Sequence, residues 1–168
     1  MEHTETRLEG GDHRKAGPFK GVWNRDTPTG GPPGGRSVAS GGRAPRMKFL
    51  AQIPFVDLVG MELLFCEAGQ AELALTLREE LTNSWSVAHG GVTMTLLDVA
   101  MAHAARSPNQ PGHPESPGVV TIEMKTSFLR AGLGRLTARG TLLHRTASLA
   151  FTEGTVFDEK GERVAHAT

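Results

Sequence analysis

The order of hydrophobic and polar positions divides residues 47–168 into predicted strands and helices. Strands are predicted over residues 61–68, 71–78, 119–128, 135–144, 147–157 and 163–168. Residues 92–106 contain no Gly or Pro and are rich in Ala, Leu and Met. They predict a helix that is apolar on nearly every side and therefore buried on most of them. Residues 47–53 predict a short helix that Pro54 ends.

The order of these elements favours one architecture. A short helix and a two-stranded hairpin that turns at Gly69 precede the buried helix, and three or four antiparallel strands follow it. Residues 107–118 are rich in Pro and predict a loop, and residues 158–161 predict a turn. We therefore expect an α+β fold in which an antiparallel sheet curls around a long central helix.

Composition separates a leader from a globular domain. Residues 1–46 hold 10 of the 21 glycines and 5 of the 10 prolines, with 8 basic and 5 acidic side chains. Such a segment buries too little apolar surface to offset the entropy lost on ordering it, so we expect it to be disordered. Residues 47–168 are expected to form one domain, in which the last strand is cut short at Thr168.

Charge and cysteine content suggest where the protein works. The chain has 18 basic and 18 acidic residues, so no overall field would attract nucleic acid or an anionic membrane. Its single cysteine, Cys66, excludes an intramolecular disulfide and is expected to be inert in the core. There is no apolar run of 18 residues and no secretory signal. We expect a cytoplasmic protein that binds neither nucleic acid nor membrane.

Asp98 is the most unusual residue of the central helix. It lies deep inside an otherwise apolar segment, too far from its start to cap the helix. A buried, unpaired carboxylate is costly or has its pKa raised. Asp98 is therefore either a functional group or a carboxylate that faces solvent or a structural partner.

Two glycines follow His89 at the start of this helix. They would let a ligand approach the first-turn amides, which are unpaired donors at the positive end of the helix dipole and can polarise a carbonyl. The alternative is that Gly90 and Gly91 only permit a tight turn. Asn83, in the preceding loop, would either orient a water or ligand, or hold a turn together.

Other chemistries find little support in the sequence. His89 and His103 are too far apart on one helix to share a metal, and no carboxylate stands at ligand spacing with them, so no metal site is expected. Ser84 and Ser86 lack the G-x-S-x-G context of a nucleophilic serine. The glycines of 132–134 are not followed by a helix, which excludes a dinucleotide-binding loop.

The spacing of these residues resembles a family signature. Asn83, His89-Gly90-Gly91 and Asp98, separated by five and six residues, are similar to the motif of hotdog-fold acyl-CoA thioesterases of the phenylacetate-pathway (PaaI) type. Residues 54–61, 119–129 and 158–166 also resemble that family, so the likeness covers about residues 50–168. It implies a hotdog fold, an antiparallel sheet around a long helix, assembled as a homodimer or a dimer of dimers.

The resemblance also implies catalytic roles for five residues. The amide of Gly90 would polarise the thioester carbonyl, and Asp98 would act as nucleophile or as general base for water. Asn83 and His89 would orient the thioester or the water. Thr121 falls on a Ser/Thr position of the family and would position the water.

Substrate contacts and reaction follow from the same resemblance. The coenzyme A contacts of relatives fall on Phe128, His144, Arg145 and Thr146. The implied reaction hydrolyses an acyl-CoA to the free acid and coenzyme A without a metal or redox cofactor.

Two other functions remain open at this point. A hotdog dehydratase or hydratase that acts on acyl thioesters uses a His–acid pair, and His89 and Asp98, nine residues apart, match that arrangement poorly. A non-catalytic acyl-CoA-binding regulator is the other alternative, but binding alone does not require an acid such as Asp98.

Overall fold

The computed structural model describes residues 47–49, 51–107 and 118–168. Its helices and strands are, in chain order, α1 (Pro54–Val59), β1 (Met61–Glu67), β2 (Gln70–Thr76), α2 (Gly90–Arg106), β3 (Thr126–Phe128), β4 (Arg135–Arg145), β5 (Ala150–Phe157) and β6 (Arg163–Ala167). A 3-10 turn, Glu79–Leu81, lies between β2 and α2. The expected leader, residues 1–46, and most of the expected loop, residues 108–117, lie outside the described residues.

The six strands form one antiparallel sheet in the order β1-β2-β4-β5-β6-β3. The first two strands make the expected hairpin, with Met61 opposite Leu75 and Glu67 opposite Gln70. Helix α2 packs across β2, β4 and β5 in the middle of the sheet. The α+β class and the central helix on an antiparallel sheet are therefore confirmed.

Apolar side chains from the sheet and from α2 form the core between the two layers. Its largest fully buried residues are leucines: Leu63, Leu73, Leu75, Leu96, Leu97 and Leu136. Full burial of one such side chain contributes about 1.5–3 kcal/mol. Because these leucines come from β1, β2, β4 and α2, the core fixes the position of the helix against the strands.

A pair of glycines lets α2 approach the sheet closely. Gly140 on β4 lies opposite Gly154 on β5. A Cβ atom at Gly140 would lie 2.5 Å from the backbone oxygen of Ala100, and one at Gly154 would lie 2.9 Å from Cγ of Met101. The middle of α2 can therefore rest against the backbone of both strands.

The helix predicted over residues 47–53 is wrong. Met47 makes an isolated antiparallel bridge to Leu63, donating its N–H to the Leu63 carbonyl at 2.8 Å. The helix begins instead at Pro54, where the missing proline N–H costs nothing because the first helical amide has no partner. It ends at Gly60, whose φ of 84° is the left-handed conformation that favours glycine.

The strand predicted over residues 119–128 is present only at its end. Of the predicted segment, the residues of β3 pair with β6, from Thr126–Ala167 to Phe128–Ala165. Val120 and Ile122 are 87% and 80% exposed. The alternation is real, but a strand also needs a neighbour with which to form hydrogen bonds. Lys125 still exchanges two backbone hydrogen bonds with Thr168, at 2.9 and 3.1 Å, but within the described ranges no named strand pairs with residues 119–124.

The remaining predicted strands and the helix over residues 92–106 agree with the structure, apart from shifts of up to three residues at their ends. The turn over residues 158–161 is present, because the Asp158 carboxylate accepts hydrogen bonds from the amides of Lys160 and Glu162, both at 2.9 Å. Among the described helices, none has the length and apolar character that a membrane span requires.

Candidate active site

Helix α2 buries one side and leaves the other open. Its sheet side is formed by fully buried residues, including Leu96, Leu97, Ala100 and Ala104. Away from the sheet runs a stripe at helical spacing whose residues are exposed or half-buried: Gly91, Thr95, Asp98 and Ala102. We call this stripe the open face. The burial expected on most sides of the helix is thus found only on the sheet side.

Asp98 lies in the middle of the open face and has a hydroxyl partner. The Thr121 Oγ1 donates a hydrogen bond of 2.5 Å to Asp98 Oδ1. Asp98 is half-buried, so it is neither the fully buried carboxylate nor the unpaired one that the sequence suggested. The structure therefore brings together two of the residues that the resemblance marked as catalytic.

Asp98 and Thr121 line a groove of about 820 Å³, here called the Asp98 groove. Its walls come from the second half of α2, from residues 118–125 and from the connection between β4 and β5. Two cationic side chains, Lys125 and Arg145, and two carboxylates, Asp98 and Glu123, stand in this lining among apolar and hydroxyl groups. Groove volumes of about 300–1,000 Å³ are typical of small-molecule sites.

The start of α2 presents a free amide beside an imidazole. His89 is the N-cap, and its Nδ1 accepts a hydrogen bond of 3.0 Å from the Gly91 N–H. The proton of the neutral ring is therefore on Nε2. The N–H of Gly90, the first helical residue, has no partner within the helix.

Phe128 lies over this helix start. A Cβ atom at Gly90 would meet the Phe128 ring at 3.4 Å. Any side chain at position 90 would therefore start in contact with the aromatic ring. The structure brings Phe128, expected to contact coenzyme A, next to the amide expected to polarise the carbonyl.

Asn83 organises the loop that leads into α2. Its Oδ1 accepts a hydrogen bond of 2.9 Å from the Trp85 amide, and its own N–H donates to the Val87 carbonyl at 2.9 Å. Of the two alternatives for Asn83, the geometry supports the turn-holding one. Asn83 influences the site by placing His89 and Gly90.

The other expected coenzyme A residues lie in the β4–β5 connection. Arg145 lines the Asp98 groove, and its guanidinium donates to the Ala105 carbonyl at the end of α2. Thr146 closes the turn, since its Oγ1 accepts the Leu149 amide at 2.9 Å. His144 stacks on Phe151 with ring centroids 6.2 Å apart. Arg145 is thus the member of this trio that faces the groove.

A second cavity, not predicted from the sequence, lies at the other end of the open face. It measures about 480 Å³ and lies between α1, the 3-10 turn and the start of α2. We call it the α1 pocket. The sequence analysis gave no signal for it, because it ended the first helix at Pro54, whereas the structure places the exposed apolar residues Phe55 and Leu58 on α1.

Two titratable residues of the core lie outside both cavities. Cys66 is 5% exposed, and burial raises the pKa of its thiol, as expected for an inert cysteine. His103 is equally buried, and its Nδ1 donates to the Val99 carbonyl at 2.8 Å. Over the described residues, no three His, Cys, Asp or Glu side chains form a group suited to a metal ion.

An antiparallel sheet on a long helix with an acid on its open face is the arrangement of a hotdog enzyme. The sequence model of the thioesterase superfamily matches residues 86–165, the part that includes α2 and the strands after it. The medium/long-chain acyl-CoA thioesterase YigI of Escherichia coli K12 is 30% identical over 133 residues, which span 71% of this chain and 85% of the relative.

Solved structures agree with this assignment. The conserved protein PA5202 of Pseudomonas aeruginosa is similar with a TM-score of 0.62 and 27% identity, over 69% of this chain and 90% of that one. The E. coli PaaI protein from the phenylacetic acid degradation operon has the same fold, with a TM-score of 0.60 and 21% identity over 67% of this chain and 78% of that one.

The chain belongs to the thioesterase superfamily and has a hotdog fold. It is an enzyme of the hydrolase class, and the family expected from the motif is confirmed.

Proposed function

We propose that this protein hydrolyses acyl-CoA thioesters to the free acid and coenzyme A. The observation that carries the proposal is the Asp98–Thr121 pair, held at 2.5 Å in a groove large enough for a ligand. Family membership supports the thioester, and the name of the E. coli relative supports an aliphatic acyl group on coenzyme A.

The proposed reaction uses a hydrogen-bond donor, the Gly90 amide, and a carboxylate, Asp98, on opposite sides of the thioester carbonyl. The Gly90 amide binds the carbonyl oxygen as negative charge develops on it. Asp98 either attacks the carbonyl carbon or takes a proton from the water that attacks it. If Asp98 attacks, the C–S bond breaks as a mixed anhydride with Asp98 forms, and water then hydrolyses this anhydride to release the free acid and restore the carboxylate. If Asp98 acts as a base, the water itself attacks the carbonyl carbon and the C–S bond breaks directly. In both routes the departing sulfur gains a proton.

Three further residues support this chemistry. Thr121 holds the Asp98 carboxylate through its Oγ1, so it is a positioning residue for the acid. His89 keeps a Nε2–H donor beside Gly90, suited to orient the thioester or a water. Asn83 fixes the loop from which both His89 and Gly90 emerge.

Both halves of the site belong to one helix but lie too far apart to act together within one chain. Gly90 and Asp98 are separated by eight residues, or about 12 Å along the axis. Reacting atoms must lie about 3 Å apart. We infer that two chains place their open faces side by side and antiparallel, so that Gly90 of one approaches Asp98 of the other. A two-fold dimer then has two identical sites.

The coenzyme A moiety is proposed to lie along the Asp98 groove. Lys125 and Arg145 line this groove beside the carboxylates of Asp98 and Glu123, and these two cationic side chains are suited to pair with the phosphate groups. Phe128, beside Gly90, is exposed and can contact the pantetheine chain. His144 and Thr146 would act indirectly, by shaping the connection that presents Arg145.

Release of free thiol from a panel of acyl-CoA substrates tests the proposal. We expect thiol release by the wild-type chain and a loss of kcat of about a hundredfold or more in Asp98→Asn, with the fold retained. Asp57→Asn is the matched control, because Asp57 is an exposed carboxylate on α1 that lines neither cavity.

The same panel separates the alternatives. Hydration of an enoyl-CoA without thiol release would favour a dehydratase or hydratase, and binding without turnover would favour a regulator. Full activity of Asp98→Asn would remove the acid from the mechanism.

A further inference from the structure

We infer that Gly132, in the connection between β3 and β4, is a positioning residue for the Gly90 amide. Its carbonyl accepts a hydrogen bond from the residue two positions before Gly90, and its lack of a side chain leaves room for that contact. This inference rests on the proposed role of Gly90. It adds a residue that lies outside the motif from Asn83 to Asp98.

The amides on either side of Gly90 have hydrogen-bond partners. The Ala88 N–H donates to the Gly132 carbonyl at 2.9 Å, and the His89 N–H donates to the Leu81 carbonyl at 3.0 Å. The amide that follows Gly90 is capped by His89 Nδ1 at 3.0 Å. The Gly90 N–H itself has no partner within the helix, so its direction is set by the bonds that hold its neighbours.

The space around Gly132 admits no side chain without a shift of Ala88. A Cβ atom at Gly132 would lie 3.2 Å from the Ala88 Cβ and 3.1 Å from Leu136 Cδ1, both closer than ordinary van der Waals contact. Ala88 has no side-chain atom that could rotate away, and Leu136 is fully buried, so the backbone at Ala88 has to move. Gly132 is not among the glycines with a positive φ, so space requires a glycine here and backbone conformation does not.

The β3–β4 connection is fixed to the sheet on both sides of Gly132. The amides of residues 129–130 both donate to the Val164 carbonyl of β6, at 2.8 and 3.1 Å. On the other side, the Gly134 carbonyl accepts the Leu77 amide at 2.9 Å. The Gly132 carbonyl lies between these two anchors, so the connection holds it in place against the start of α2.

A small displacement of Gly90 should matter because a donor to a developing oxyanion works only at a defined distance. Such a donor lies about 2.7–3.1 Å from the oxygen that becomes charged, and loss of one lowers kcat by about 100- to 1,000-fold. A methyl group at Gly132 requires its neighbour to give by a few tenths of an ångström, which weakens this bond without removing it. Substrate binding in the Asp98 groove should be little affected.

Gly132→Ala tests the inference through the separate effects on kcat and KM in thiol release. We expect kcat to fall about tenfold and KM to change less than about twofold, at a temperature well below the Tm of the variant. Val156→Ala is the matched control, because it truncates a buried core residue of β5 that lines neither cavity. A wild-type kcat in Gly132→Ala, or an equal loss of kcat in both variants, would overturn the inference.

A second substitution at position 88 tests whether the loss arises at this contact. In the double variant Gly132→Ala, Ala88→Gly, the methyl group that the new Cβ meets is gone. Its kcat should therefore return to within about twofold of that of Ala88→Gly alone, as expected for two residues coupled through one contact. A double variant as slow as Gly132→Ala would place the cause elsewhere and overturn the inference.

Nuclear magnetic resonance separates this inference from the proposed function. In the wild type the Ala88 amide should exchange slowly with D2O because it is bonded to Gly132, and rapid exchange would overturn the inference without any variant. If no acyl-CoA releases thiol, but the Gly90 amide resonance moves in Gly132→Ala and returns in the double variant, the proposed reaction fails and the positioning role stands. If thiol is released but this resonance does not move, the positioning role alone fails.

Discussion

The residues of the site differ in how far away in the sequence their hydrogen-bond partners lie. Asp98 was recognisable because an acid in an apolar helix is costly, but Thr121, its partner, is 23 residues further on. No local pattern links the two, and only the family motif suggested Thr121. His89 was found for its place before two glycines, and its capping bond to Gly91 gives a physical reason for its position.

His103 should make the stability of the protein depend on pH. Burial lowers its pKa below the ordinary value of 6.5, the Val99 carbonyl opposes this, and the nearby Arg106 charge adds to it. The unfolded chain therefore binds the proton more readily. The contribution of His103 to the free energy of unfolding is fully present above about pH 6.5. It is lost as the pH falls towards the folded-state pKa, and the free energy of unfolding then decreases by at most about 1.4 kcal/mol per pH unit.

Replacing His103 with Gln keeps a donor for the Val99 carbonyl and removes the titration. We expect the free energy of unfolding of His103→Gln, from urea melts between pH 5.5 and 7.5, to fall less on acidification than that of the wild type. Parallel curves for the two proteins would show that His103 is not protonated on unfolding.

The contact between α2 and the sheet should be sensitive to a single methyl group. In Gly140→Ala the new Cβ would lie 2.5 Å from a backbone oxygen of α2, which cannot rotate away. We expect a loss of about 1–3 kcal/mol or more in the free energy of unfolding, the usual cost of overpacking. The measurement is denaturant unfolding monitored by circular dichroism.

Gly154→Ala provides the comparison for this prediction, because Gly154 pairs with Gly140 under the same helix. Its Cβ would meet the flexible Met101 side chain, which can move, and the Leu97 methyl at 3.2 Å. The loss should therefore be smaller than in Gly140→Ala. If Gly140→Ala lowered the free energy of unfolding less than Gly154→Ala does, α2 would not pack against these two glycines as described.

Elements with a continuous local signal were predicted well. The alternation in β2 and the long Ala-, Leu- and Met-rich segment of α2 each point to one structure, and both are present. The predictions for residues 47–53 and 119–124 were wrong for a different reason. Met47 is bridged to Leu63, and among the described residues no named strand lies beside residues 119–124, so the structure of both segments depends on distant neighbours.

The whole enzyme should work only as a pair of chains. Asp98→Asn removes the acid, and Gly90→Pro removes the amide. Proline should fold at position 90, because this is the first helical residue and His89 before it is extended, with φ −61° and ψ 137°. Each variant alone should be inactive, while mixed dimers should regain one working site of two.

Size-exclusion chromatography with two different affinity tags verifies that mixed dimers form, and thiol release measures their activity. Inactive mixed dimers, or a fully active monomer, would rule out a site shared between chains.

The leader should be dispensable for catalysis. Residues 1–46 contain no periodic apolar pattern and no site candidate, and Met47 makes the first described contact, to the Leu63 carbonyl. A chain that begins at Met47 is expected to keep the Tm and the kcat of the full chain. A drop of several degrees in Tm would show that the leader packs on the domain.

The sequence by itself determined the fold class, the central helix, the family and the motif residues from Asn83 to Asp98, since each of these depends on local periodicity or on spacing along the chain. Tertiary structure decided which polar groups meet. It placed Thr121 on Asp98, Phe128 over Gly90 and two cavities on one face of α2. These contacts join segments that are far apart in the sequence. Packing between such segments produces no periodic pattern of hydrophobic and polar residues from which it could be predicted.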